Sequence, residues 1–276
     1  MEKKVAIQGH EGSFHHQAAR YYFGRSIQTV PCSSFKELVK TAEDGQRGGT
    51  GVMAIENSIA GSILNNYTLM QKSNLQISGE IYLSIRHNLL VNPGVTLADI
   101  QEVQSHPMAL LQCADFLEQF PQWKLVESQD TAYSAHSIHQ HKAKHIAAIA
   151  SDLAAQLFGL EILASNIHSM QKNFTRFLVL DKDLEGMPEG ANKASIYFHA
   201  EHHKGSLAAI LIRLAASGIN LSKLQSVPVP GTDWEYGFHA DLEFTHTDQY
   251  MDVMQSLPHM TKELRVFGVY KKGQTI

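Results

Sequence analysis

The strongest constraint on this chain is a rhythm. Through residues 5–180, short apolar strands alternate with helical segments, and turn-forming residues separate them. Val5-Ala6-Ile7 reads as a buried strand, Gly9 to Ser13 as a turn, and Phe14 to Phe23 as a helix stopped by Gly24. Ser34-Phe35-Lys36-Glu37 has the capping-box pattern that opens a helix, here running toward Gly45. A second apolar strand, Gly51 to Ile55, ends abruptly at Glu56-Asn57-Ser58, and Gly61-Ser62 follows. From about residue 80 the rhythm restarts. Ile81 to Val91 and Glu102 to Ser105 are extended, and His106-Pro107 opens a helix to about Gln119, with proline in its first turn. Leu125-Val126 is extended again. Asp130 caps a helix to about His141, His145 to Ala150 is a strand, and Ser151-Asp152 opens a helix that stops at Gly159. Such alternation predicts mainly parallel sheet with both faces covered, and two successive blocks predict two lobes flanking a crevice.

Residues 184–193, LEGMPEGANK, break the pattern with two glycines and a proline and read as a linker. Beyond them lie a strand over Ala194–Ala200, a helix over Leu207–Ala216 and a strand over Leu221–Val229. A strand over Trp234–Phe244, a helix from about Thr247 and a strand over Leu264–Tyr270 follow. The order βαββαβ is that of a ferredoxin-like module. With 43% hydrophobic and 18% charged residues, the 276-residue chain has enough apolar material for real cores. A net charge of −4 argues against a nucleic-acid binder relying on general positive charge. Two cysteines, Cys32 and Cys113, exclude a disulfide scaffold. The start, MEKKVAIQGHEG, lacks the apolar stretch of a signal peptide, and no apolar run reaches the roughly 18 residues of a membrane span. A cytoplasmic protein with no membrane partner is expected.

The usual chemical signatures are missing. There is no GxGxxG, P-loop, HExxH or GxSxG, so chemistry here is expected to run on side chains without a metal or cofactor. Small polar residues instead recur at successive strand ends: Gly12-Ser13, Glu56-Asn57-Ser58, Gly61-Ser62, Ser105-His106 and Ser151. Each alone is ordinary helix capping. Together, at the carboxyl ends of strands in an open α/β sheet, they suit a small anionic ligand. Asn173-Phe174-Thr175-Arg176-Phe177 leads into the apolar Leu178-Val179-Leu180. In an extended strand Thr175 and Phe177 share one face, while Phe174 and Arg176 share the other. Arg176 then either grips a ligand carboxylate or sits solvated on an edge strand. Of the 16 histidines, His136, His139, His141 and His145 cluster, as do His199, His202 and His203, and His141 and His145 have a chelating spacing. No carboxylate completes that set, so surface histidines are the better reading.

Several blocks together resemble the prephenate dehydratases. Ala54-Ile55-Glu56-Asn57-Ser58-Ile59-Ala60-Gly61-Ser62 is similar to their P-I-E-N-S-x-x-G-S block, and Ser105-His106-Pro107-Met108-Ala109-Leu110-Leu111-Gln112-Cys113 to S-H-P-Q-A-L-x-Q-C. Asn173 to Phe177 matches N-x-T-R-F, and Gly12-Ser13-Phe14, His87 to Leu90 and Ala148 to Ser151 also fit. The third module resembles an ACT domain, through Gly205-Ser206-Leu207 and Asn220-Leu221-Ser222-Lys223-Leu224. The resemblance implies a catalytic domain over 1–183 of the type II periplasmic-binding-protein-like kind, its lobes roughly 1–80 plus 165–183 and 81–164. A 184–193 linker and a regulatory ACT domain over 194–276 follow.

It further implies conversion of prephenate to phenylpyruvate, CO2 and water in phenylalanine biosynthesis, with no cofactor and no metal. Thr175 is then the donor to the leaving hydroxide and Arg176 the anion anchor. Asn57, Ser58, Gly61, Ser105, Gln112, Asn173 and Phe177 hold the substrate. Glu56 orients its neighbours or caps a helix, since a carboxylate facing a dianion is costly unless paired. Gly205, Ser206, Leu207, Asn220 and Leu221 bind the effector, L-phenylalanine. ACT modules pair through their sheets, so a homodimer or homotetramer is implied. Two departures stand out. Met108 replaces a common glutamine, and Gln225-Ser226-Val227-Pro228 replaces the effector motif E-S-R-P. Inhibition is expected to survive on the retained Gly205-Ser206-Leu207 and Asn220. Two other readings fit the same chain. One is an arogenate dehydratase, whose substrate carries an amine in place of the keto group. The other is a non-catalytic amino-acid sensor, which has no need of a hydroxyl donor beside a leaving group.

Overall fold

A computed structural model describes residues 2–45, 48–184 and 186–276. Three sheets organise it. The first runs, in spatial order, Ile27–Cys32, Lys3–Gln8, Thr50–Asn57, Phe174–Asp181 and Gln76–Ser84, with Gly61–Ser62 paired onto Thr50–Asn57. Its first three strands are parallel, but Phe174–Asp181 is antiparallel to both neighbours. This corrects the expectation of mainly parallel sheet. The chain leaves the first lobe, builds the second and returns from the crevice side, so its returning strand points the other way. The second sheet runs Glu161–Ala164, Asn88–Val91, Ile146–Ala150, Glu102–Ser105 and Lys124–Glu127. The single extended segment read over 81–91 is therefore two strands in two sheets, divided after Ser84. The helix read from Pro107 to about Gln119 is likewise split, into Pro107–Gln112 and Ala114–Leu117.

The third sheet, Asn220–Pro228, Tyr236–Glu243, Lys193–Ala200 and Thr261–Tyr270, has helices Ser206–Ala216 and Thr247–Ser256 in βαββαβ order. Lys193, read as linker, is the fully buried first residue of this sheet. Of the remaining linker segment, Glu185 lies outside the described residues.

Alternation along Phe174–Asp181 decides how the modules meet. Phe177 and Val179 join Val5, Ile7 and Ala54 on one face of the sheet. Leu178 and Leu180 face the other way and share a core with Tyr197, Val227, Phe267 and Tyr270 of the third sheet. The C-terminal module is therefore packed onto the first lobe. Contact is close enough to require glycine: a Cβ on Gly268 would lie 2.0 Å from the Ile77 carbonyl oxygen, and one on Gly273 2.2 Å from that of Glu80. Past Gly273 the tail extends the first sheet, with Ser84 N–H donating to Ile276 O at 2.7 Å and Ile276 N–H to Tyr82 O at 2.9 Å.

Candidate active site

Between the lobes lies a cleft of about 370 Å³. Gln8, Ser13, His15, Asn57, Thr175 and Phe177 line it from the first lobe. His87, His106, Met108, Gln112 and Asp130 line it from the second. Strand ends and helix starts put them there. Ser13, His106 and Asp130 each cap a helix whose N-terminus opens on the cleft, and such ends carry partial positive charge. The lobes touch beside it: the Ser151 hydroxyl donates to the Gly12 carbonyl at 2.6 Å, and Gly9 packs on the Asp130 carboxylate.

The wall nearest Thr175 is a continuous neutral hydrogen-bond chain. The Asn57 amide donates to Asn173 Oδ1 at 2.8 Å and to Thr175 Oγ1 at 3.0 Å. Its own Oδ1 accepts the backbone N–H groups of Ile59 and Ala60. The Asn173 amide donates to Gln112 Oε1 at 2.8 Å, and His87 Nε2 lies 2.9 Å from that same oxygen. An amide oxygen only accepts, so His87 carries its proton on Nε2. Burial pushes the His87 pKa down to about 4, which keeps the ring neutral. Across the cleft, burial lowers His15 to about 3, and its Nε2 accepts the Ala54 N–H at 3.3 Å. Among the described residues, the lining contains no lysine or arginine. Since Thr175 Oγ1 already accepts from Asn57, its own proton is available to a second acceptor.

Of the residues expected to hold a ligand, Asn57, Gln112, Thr175 and Phe177 line the cleft, and Asn173 is buried behind them joining Asn57 to Gln112. Three others lie outside the lining. Ser105 is fully buried and donates to the Ile149 carbonyl at 2.6 Å. The Ser58 hydroxyl accepts the Phe174 N–H at 2.9 Å, fixing the start of the Thr175 strand. Gly61 sits exposed at the short Gly61–Ser62 strand. The Ser58 and Ser105 hydroxyls thus hold backbone in this structure.

Arg176 is corrected more sharply. It is neither a ligand anchor nor a solvated edge residue. Its guanidinium is buried on the opposite face of the sheet, where Nε donates to Glu80 Oε2 at 2.7 Å and other nitrogens meet Asp241 and the Tyr270 hydroxyl. Lys193 Nζ completes the cluster 3.0 Å from Glu80. Burial alone would lower the Arg176 pKa, but Asp241, Tyr270 and Glu80 outweigh it and hold the charge firmly.

His15 went unread in the sequence. The available signal was helical spacing, since it shares the buried face of Phe14–Phe23 with Ala18 and Ala19. In the third module Gly205 takes the left-handed φ of +89° that opens helix Ser206–Ala216. Ser206 and Leu207 line a hollow of about 450 Å³ with His202, His203 and Lys204. Asn220 and Leu221 lie past the other end of that helix, which at about 1.5 Å per residue spans some 16 Å.

A family model described as prephenate dehydratase matches residues 5–185. The chain is 35% identical to arogenate dehydratase/prephenate dehydratase 2, chloroplastic, of Arabidopsis thaliana, over 99% of its own length and 74% of that protein's. A solved prephenate dehydratase from Arthrobacter aurescens, in complex with L-Phe, aligns with a TM-score of 0.85 at 27% identity, covering 97% of this chain and 90% of that one. GqqA, described as a novel type of quorum quenching acylase, aligns at 0.88 with 29% identity and 98% coverage of both chains. The family model spans both lobes of the cleft, and the relative is matched over nearly the whole chain: the chain belongs to the prephenate dehydratase family.

Proposed function

We propose that the interlobe cleft converts prephenate to phenylpyruvate, CO2 and water, with Thr175 as the donor to the departing hydroxide. The observation that carries this is the Asn57–Thr175 hydrogen bond. It fixes the threonine oxygen as an acceptor from the protein and leaves its O–H as a donor into the cleft. Aromatisation drives the reaction, so the barrier lies in the negative charge growing on the leaving oxygen. A threonine hydroxyl is too weak an acid to ionise fully, and a fixed donor at that oxygen is sufficient. The departing carboxylate loses its charge as CO2, which an apolar wall favours; Phe14, Ala54, Ile85 and Phe177 supply one. The retained carboxylate meets the helix starts at Ser13 and His106.

The third module is the regulatory half of this reading, with L-phenylalanine as effector. One small amino acid cannot span the length of Ser206–Ala216. Gly205-Ser206-Leu207 of one copy and Asn220-Leu221 of another therefore form each effector site, in a dimer or tetramer joined through these sheets. The setting is cytoplasmic.

The test is to supply prephenate near neutral pH and follow phenylpyruvate, with arogenate and an N-acylated amide as parallel substrates. Phenylpyruvate release that Thr175→Ala abolishes supports the proposal. Turnover of arogenate alone moves the assignment to the amine-bearing substrate; the Arabidopsis relative's name carries both activities. Amide hydrolysis alone overturns it.

A further inference from the structure

We propose that Glu56 and Arg176 are positioning residues through which the regulatory sheet sets the placement of Asn57 and Thr175; the inference rests on the catalytic reading above. Two neighbouring strands carry it. In their register Thr175 pairs with Asn57, and Arg176 pairs with Glu56. Side chains alternate along a strand, so each strand presents one residue to the cleft and the next to the far face. The Thr175–Asn57 rung faces the cleft, and the Arg176–Glu56 rung faces the regulatory sheet.

That sheet answers with a rung of its own. Lys223 and Asp241 are register partners on adjacent strands. Lys223 Nζ lies 2.5 Å from Glu56 Oε1 and 2.7 Å from Ser62 Oγ, and Ser62 itself pairs with Glu56. Asp241 grips Arg176, and its other oxygen accepts from Ser195 at 2.5 Å. Two charge-alternating rungs thus meet face to face, anion on cation at both ends, around a nearly filled space of about 20 Å³. Neither rung can shift without dragging the other. Glu56 is bonded through the chain to Asn57, whose amide holds Thr175, and Arg176 is bonded through the chain to Thr175 itself. A displacement of the regulatory sheet is therefore delivered to both members of the Asn57–Thr175 hydrogen bond.

The effector end of this path is also in place. Asn220 and Leu221, the proposed effector residues, precede Lys223 on one strand, and the pairing shifts by one residue between Leu221 and Lys223. A bulge of this kind re-aims the side chains beyond it. Movement at Asn220 and Leu221 reaches the Lys223 ammonium within three residues.

The experiment measures kcat, KM for prephenate and the phenylalanine concentration that halves activity. The variants are Lys223→Met, Glu56→Gln, their double combination and Asp241→Asn, each shown to be folded by circular dichroism. Positioning predicts that each single change lowers kcat by about tenfold while KM stays within about twofold. The double variant should be no slower than its worse single parent, because both changes cut one link. In Lys223→Met, phenylalanine should also lose about tenfold in potency. Should Asp241→Asn fail to fold, Lys223→Met and Glu56→Gln carry the test alone. Unchanged kcat in both, or losses that multiply in the double variant, overturns the inference and leaves the catalytic reading intact. No prephenate turnover by the unmodified chain overturns that reading and the inference with it. Turnover without any response to phenylalanine removes the effector role alone, and kcat still judges the rungs.

Discussion

The two faces of the Phe174–Asp181 strand differ in kind. On the cleft face, Thr175 sits in a chain of amides and neutral imidazole, with no lysine or arginine in the lining among the described residues. One residue on, Arg176 joins Glu80, Lys193 and Asp241 in a charge-balanced cluster, every member 5% exposed or less. The face with the charge is not the face proposed for the chemistry. The contrast follows from what each must do. A buried cluster of alternating charges is rigid and specific because removing any member strands the others. A site that carries a dianion through the loss of one charge gains more from neutral donors at fixed points.

The sharpest way to break the contrast is Thr175→Ala. If the cleft face is the chemical one, kcat falls by about 10³-fold, within the range of a positioned proton donor. Its cost in stability should stay near about 1 kcal/mol, that of one hydrogen bond. Phenylpyruvate release and a urea unfolding curve read the two separately.

Arg176→Lys tests the other face, where the larger effect should fall on stability. Lysine cannot reproduce a guanidinium that donates to Glu80, Asp241 and Tyr270 together. Unfolding free energy should fall by about 3 kcal/mol, as for a broken buried pair, and KM for prephenate should hold. A raised KM with undiminished stability would return Arg176 to the ligand.

The sequence made these faces legible to different degrees. Period-two alternation alone separates Thr175 and Phe177 from Arg176, and strand ends at Ser13, Asn57 and His106 mark the cleft. What it could not supply was the partner of Arg176. Glu80 and Asp241 lie 96 and 65 residues away in the chain, and only the docking of the third sheet brings them in. The same gap hid the destination of Lys193 and Lys223. Ser58 and Ser105 pose a related difficulty, since a serine at a strand end looks alike in sequence whether its hydroxyl meets ligand or backbone. The ferredoxin-like module needed less, because its βαββαβ order lies in local patterning.

The joint between the faces can be opened more gently at Gly268. A Cβ there meets the Ile77 carbonyl, and backbone cannot step aside as a side chain would. Gly268→Ala should cost about 2 kcal/mol by overpacking while the cleft, lined by other strands, keeps its KM. The check is a lowered Tm with an unchanged Michaelis constant; an unaltered Tm would mean that the two sheets sit farther apart than described.

Acid reveals the last difference, because the buried neutral rings, His15 and His87 at the cleft and His239 beside the charged cluster, should titrate before the carboxylates. Burial lowers His15 to about 3 and His87 and His239 to about 4, with Asp241 opposing the shift at His239. Above pH about 6.5, the ordinary histidine value, folded and unfolded chains bind the same protons at these rings and their contribution is complete. As pH falls from 6.5 toward 4, the unfolded chain takes up protons that the folded one refuses. Each ring then removes about 1.4 kcal/mol of stability per pH unit. Asp241 behaves differently. Burial would raise its pKa, but Arg176 and Lys193 outweigh that and hold it down, so its stabilisation persists until the pH drops below the ordinary carboxylate value of about 3.9. Urea midpoints between pH 7 and 4 should therefore slope downward before Asp241 begins to titrate. His87→Gln should reduce that slope by one ring's share, and an identical slope in the variant would mean that His87 takes its proton as readily folded as unfolded.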